Sequence, residues 1–128
     1  LSFNSALSWA EALFISSNQY HAKEKFSIDI IKHSEFTGKN IKRVGVLGGS
    51  GASGIKSALS KKCDAYLTGD LKYHDYFSAE SKMLLCDVGH YESEQWVSEQ
   101  LFEILSEKFT TFAIAKTTQK TNPVNYFL

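Results

Sequence analysis

Cysteine is scarce, proline occurs once, and neither sign of charge is in excess. Two cysteines, Cys63 and Cys86, form no CxxC pair and are too few for a disulfide framework. Both fall beside predicted strands, so buried free thiols and a reducing cytoplasm are expected. Lys plus Arg equals Asp plus Glu, 14 against 14. That balance gives no support for a nucleic-acid or membrane surface, and no basic run exceeds Lys61-Lys62. No apolar stretch reaches the length of a membrane-spanning helix, and no signal peptide is visible. Internal repeats and low-complexity tracts are missing too. What is present is 43% hydrophobic residues with a single proline, enough for a packed core and too much for a disordered chain. The length, 128 residues, suits one domain. The chain opens on Leu1 in mid-pattern, as a processed product or an excised fragment would.

The pattern alternates between strand and helix. Residues 8–26 read as a helix carrying Trp9, Leu13 and Phe14 near one face, and Ile28, Ile30 and Ile31 mark a short strand. Strands follow at residues 43–47, 65–68, 83–86 and 112–115. Helical segments lie between them at 53–61, 72–79 and 91–108, the last with Trp96, Val97, Leu101, Ile104 and Leu105 on one stripe that serves as core or subunit contact. This is an α/β arrangement, a mostly parallel or mixed sheet flanked by helices. Three of the strands run into small or polar clusters: Gly48 to Gly51, Thr68 to Asp70, and Asp87 to His90. Parallel strands would bring these clusters to one edge. Ligands bind at the carboxyl ends of strands in open α/β sheets, so a site is predicted where Ser50, Asp70, His74 and His90 converge.

Three constellations carry candidate chemistry. Gly49, Gly51 and Gly54 fit G-x-G-x-x-G, either as a tight turn or as a cradle of backbone N–H groups for an anion. His90 and Glu94 lie one helical turn apart. They read either as a metal-binding imidazole and carboxylate or as part of a helix start favouring acidic residues. Asp70 and His74 follow a strand closely. Asp70 caps the next helix, or the pair supplies a second metal shell and a proton carrier. His21 and His33 are expected at the surface, and Tyr73, Tyr76 and Phe77 in packing rather than in a ring-stacking platform.

Read together, Arg43-Val-Gly-Val-Leu-Gly-Gly-Ser-Gly, Thr68-Gly-Asp-Leu-Lys-Tyr-His-Asp, Asp87-Val-Gly-His-Tyr-Glu-Ser-Glu-Gln and Thr121-Asn-Pro-Val resemble the C-terminal half of one family. It is the dinuclear metal centre hexameric family, also called type 2 GTP cyclohydrolase I or the NGG-interacting-factor-three-like family. The resemblance covers about residues 40–128. It implies one half of a two-lobed metal-binding fold, with two divalent metal ions in the cleft. It also implies His90 and Glu94 as the ligands of this half, and homo-oligomeric assembly as a hexameric ring. Asp70 and His74 match a motif close to that cleft without being the usual ligands. In the family an N-terminal half supplies a His-His pair and an aspartate, and no His-His dipeptide occurs here. Residues 1–40 would then be a linking segment, returning from a domain that some relatives insert, and residues 41–128 the C-terminal α/β half.

The resemblance implies a metal-dependent hydrolase or cyclohydrolase-like activity, with zinc, iron, manganese and nickel not distinguished. Asp70 and His74 are the candidate catalytic residues, and the isolated chain is expected to be inactive. A metal-stabilised ring acting as a scaffold without catalysis is the alternative. A nucleotide-binding domain built on Gly48 to Gly54 ranks last.

Overall fold

The computed structural model describes Ile28 and residues 30–127. The helix expected over residues 8–26 lies outside them. The chain forms two compact units, Leu1–Ser93 and Glu94–Leu128.

The first unit holds a four-stranded mixed sheet in the order β1-β4-β3-β2. Its strands are β1 (Lys32–His33), β2 (Val44–Ser50), β3 (Ala65–Gly69) and β4 (Leu84–Asp87). β2, β3 and β4 run parallel, and β1 pairs antiparallel with β4. Between β2 and β3 stand a 3-10 turn, Ala52–Gly54, and helix α1 (Ile55–Ser60). A 3-10 helix, Tyr73–Ala79, joins β3 to β4. The α/β class and the mixed sheet read from the sequence are therefore what is found. β1 and the buried Ile28 belong to this sheet and its core, in the stretch where the sequence predicts a short strand.

Side-chain alternation along the strands builds a core on each face of the sheet. Ala65, Leu67, Leu84, Cys86 and Val88 pack with Ile28, and Ile31, Ile41 and Val44 lean against them. On the other face Tyr66, Met83 and Leu85 pack with Ile55, Ala58, Cys63, Leu71 and Ala79. Burial on both faces is why β3 and β4 read as near-continuous apolar runs. Cys63 and Cys86 are free and buried, as expected, and burial pushes the Cys86 thiol up to about 12, so it is inert at neutral pH.

A carboxylate ties the amino ends of two strands. Asp64 Oδ2 accepts hydrogen bonds from the amides of Lys42 (2.8 Å) and Arg43 (2.7 Å). The Lys42 amide bond, with that from Arg43, holds the Asp64 carboxyl below its ordinary range. A depressed carboxylate contributes stability above its unfolded pKa, and that contribution is lost as pH falls through the folded one. Urea unfolding at about pH 7 and about pH 3 should therefore show a smaller pH penalty in Asp64→Ala than in the wild type. An equal penalty in the two proteins would remove this assignment.

The second unit contains helix α3 (Val97–Lys108). Lys116 pairs with Glu99 and lies over the Phe102 ring, and Lys108 lies over Phe109. The single helix expected over residues 91–108 is two: α2 (His90–Glu94) and α3, separated at Gln95 and Trp96. The strand expected at residues 112–115 is absent, and the fourth strand of the sheet is β1 instead. A strand exists through its hydrogen-bonded partner, and no other strand occurs among the described residues of this unit. Among the described residues no helix is long and apolar enough to cross a membrane.

Candidate functional site

The site forms where β3 and β4 end side by side. Their parallel register pairs Leu67 with Cys86 and Thr68 with Asp87, so Thr68-Gly69-Asp70 and Asp87-Val88-Gly89-His90 leave the sheet together. The Val88 amide donates to the Thr68 carbonyl at 2.8 Å and holds the two exits close. Asp70 adopts a left-handed backbone (φ 56°), a conformation that aspartate tolerates better than most residues. The turn brings its carboxylate to the imidazole of His90, with Oδ2 and Nδ1 2.6 Å apart. Both side chains are about half exposed, 54% for Asp70 and 49% for His90. The carboxylate favours the tautomer protonated at Nδ1 and leaves Nε2 as the lone-pair nitrogen.

Of the four residues expected to converge, the structure joins Asp70 to His90. Ser50 ends β2 opposite Gly69. His74 lies elsewhere in its bonding: its exposed ring meets Tyr73 and Phe77 on the 3-10 helix. Tyr73 and Phe77 themselves are 73% and 64% exposed, so they are not the packing residues expected. Tyr76, the third of that group, does lean on the core, and burial, with the charge of Asp87, pushes its hydroxyl up to about 12. Glu94 closes helix α2 one turn beyond His90 and is exposed.

Two residues that matter here lie in the motif that opens at Asp87 but receive no role of their own from the sequence reading. Asp87, 2% exposed, accepts a hydrogen bond from the Leu71 amide at Oδ2 (3.1 Å) and from the Gly89 amide at Oδ1 (3.0 Å). Ser93 accepts from the Gly49 amide (2.9 Å) and donates to the His90 carbonyl (2.8 Å), tying the glycine-rich strand end to α2. The available signal for Asp87 was an acidic residue closing an otherwise apolar strand.

The glycine-rich segment is fastened from within. Besides Gly49, the amides of Gly51 and Gly54 donate to Gly69 and Gly51 carbonyls, and Thr68 and Tyr66 hydroxyls donate to the Gly49 and Gly51 carbonyls. The three glycine amides are thus engaged, and β2 continues through Ser50 with a register shift between Val46 and Ser50, a stretch in which Gly49 has φ 68°. This is the tight-turn role, and it removes the basis for an anion cradle on those amides.

Among the described residues no group of three or more His, Cys, Asp and Glu side chains forms a metal cluster. On this edge the imidazole of His90, met at Nδ1 by the Asp70 carboxylate, is a nitrogen donor of the kind that suits a borderline divalent cation.

The profile of the Duf34/NIF3 (NGG1p interacting factor 3) family matches residues 5–123. A GTP cyclohydrolase 1 type 2 homolog of Campylobacter jejuni is 36% identical over 106 residues, covering 82% of this chain and 42% of that protein. A protein of the same name from Pyrococcus abyssi is 36% identical over 87 residues, covering 67% of this chain and 34% of that protein. The crystal structure of a Bacillus cereus protein related to NIF3 superposes with a TM-score of 0.63 at 29% identity, over 84% of this chain and 31% of that one. The chain therefore spans about a third to two fifths of the length of these relatives.

Proposed function

Because the chain belongs to the Duf34/NIF3 (NGG1p interacting factor 3) family, we propose that His90 and Glu94 are its ligands in a dinuclear metal centre. The activity proposed for that centre is hydrolase- or cyclohydrolase-like. The carrying observation is the 2.6 Å bond between Asp70 and His90 at the carboxyl ends of parallel strands. A carboxylate at Nδ1 fixes the ring and its tautomer, as the partners of metal-ligating histidines generally do. Two divalent cations, zinc, iron, manganese or nickel, would supply an activated water and polarise the substrate there. Asp70 then acts as a positioning residue for His90. Nothing in the geometry adds to the case for His74 as a proton carrier. The shared name of the relatives supports the cyclohydrolase-like class and leaves the substrate open. Two donors do not complete a site, and the others are proposed to come from outside these 128 residues, so the chain alone should bind metal weakly.

Zinc titrated into the chain tests this. Losing a ligand costs at least as much as losing the group that orients it, roughly 10–100-fold in affinity. His90→Ala and Glu94→Ala should each weaken zinc binding by at least about tenfold. Wild-type affinity in both variants would remove the reading.

The scaffold alternative draws on the second unit. Val97, Leu101 and Ile104 of α3 are each about half exposed, which suits a surface covered in a ring. Assembly that survives chelation, with partner binding intact, would favour that reading over catalysis.

A further inference from the structure

Asp87 has a third partner, and it comes from the other side of the sheet. Lys32 Nζ on β1 lies 2.7 Å from Asp87 Oδ2. The register agrees, because Asp87 stands opposite Lys32 on β1 and opposite Thr68 on β3. One carboxylate in the middle of three strands thus collects Lys32 Nζ, the Leu71 amide and the Gly89 amide.

The two amides are not arbitrary. Leu71 follows Asp70 in the chain, and Gly89 precedes His90. Each turn that presents a member of the Asp70–His90 pair is therefore pinned one residue away by the same side chain. We propose that Asp87 and Lys32 are positioning residues for the candidate metal site: the ion pair between them sets the spacing of the two turns, and so the bond between Asp70 and His90. Its bearing on metal affinity rests on the function proposed above.

Burial makes the tie consequential. Asp87 is 2% exposed, whereas the Lys32 side chain is 63% exposed and reaches in from the edge strand. A buried carboxylate is held in place by its countercharge and its donors together. Without Lys32 it keeps two amides and gains a reason to seek water, drawing at least one turn with it. A functional constellation tolerates roughly half an ångström of such movement, and the 2.6 Å bond would be the first contact to lengthen. β1 thereby becomes part of the site's support, although it contributes no group to the site itself.

The test reads His90 directly. Nitrogen NMR of the metal-free 128-residue chain should show His90 protonated at Nδ1 in the wild type. In Lys32→Met the signals should move toward a mixture of tautomers, and zinc affinity should fall about tenfold. Lys32→Arg should restore both. Asp87→Asn conserves size but offers an amide nitrogen where an acceptor is needed, and should shift the His90 signals in the same sense. A merely structural contribution would lower the melting temperature and leave the tautomer alone. A folded Lys32→Met or Asp87→Asn protein with wild-type His90 signals overturns the proposal. If the wild-type chain takes up no zinc, the metal reading fails while the metal-free spectra still decide the positioning role.

Discussion

Gly69→Ala should lower the melting temperature by roughly 10 °C and break the hydrogen bond between Asp70 and His90. Gly69 is buried at the end of β3 and has no left-handed φ, so alanine is conformationally acceptable there. The obstacle is space. A β-carbon would stand 2.7 Å from the His90 amide nitrogen and 2.8 Å from both the carbonyl carbon and oxygen of Gly89. All three neighbours are backbone, so no side chain can swing aside. Relief requires the β3 and β4 exits to separate, and that separation acts on the two turns that present Asp70 and His90. Overpacking of this kind costs about 1–3 kcal/mol and sometimes more, and a rigid backbone contact belongs at the upper end. Gly38→Ala is the control: it has φ 70° but nothing within 4 Å of the new carbon, so it carries backbone strain alone, about 1 kcal/mol. Thermal unfolding followed by circular dichroism ranks the two. A Gly69→Ala protein that melts with the wild type would mean that the two turns do not approach as described.

That close approach also explains how much of the site could be read in advance. Strand-end clusters at Thr68 to Asp70 and Asp87 to His90 are local signals, and parallel pairing is enough to bring them to one edge. The particular match of Asp70 to His90 depends on register. Thr68 opposite Asp87 is a choice made by packing on both faces of the sheet, and neither motif records it. Asp87 was hidden for the opposite reason: its partners Lys32, Leu71 and Gly89 include two backbone amides, which leave no trace in side-chain chemistry. His74 sits in the same motif as Asp70, but a 3-10 turn carries its ring to Tyr73 and Phe77. Spacing along the chain could not separate those two fates. The apolar stripe from Trp96 to Leu105 is continuous in sequence, yet the helix is interrupted at Gln95 and Trp96, because periodicity reports a face and not an unbroken hydrogen-bond ladder. The residues at 112–115 have strand composition, and composition cannot supply the edge that a strand needs.

Leu84→Ala and Leu85→Ala should both be costly, each by about 2–5 kcal/mol, and their near-equality is the informative result. The two residues are neighbours on β4 and point to opposite faces. Leu85 is 0% exposed and packs with Tyr66, Met83 and Ile55 beneath α1 and the 3-10 helix. Leu84 is 3% exposed and packs with Ala65, Leu67 and Ile28. Truncation removes the same atoms from each core and leaves a cavity, since β4 is paired on both sides and cannot collapse inward. A sheet covered on one face would show one large loss and one small one, because an exposed leucine gives up little when shortened. Chemical denaturation midpoints with unchanged slopes would give the comparison directly. A Leu84→Ala loss below about 1 kcal/mol beside a large Leu85→Ala loss would mean that the face lined by Ile28, Ile31 and Ile41 is not closed. In that case β1, which borders the same face, would lose its support as the anchor for Lys32. Equal losses instead make β1 and β4 parts of one rigid frame, the condition under which a lysine on an edge strand can govern the geometry of His90.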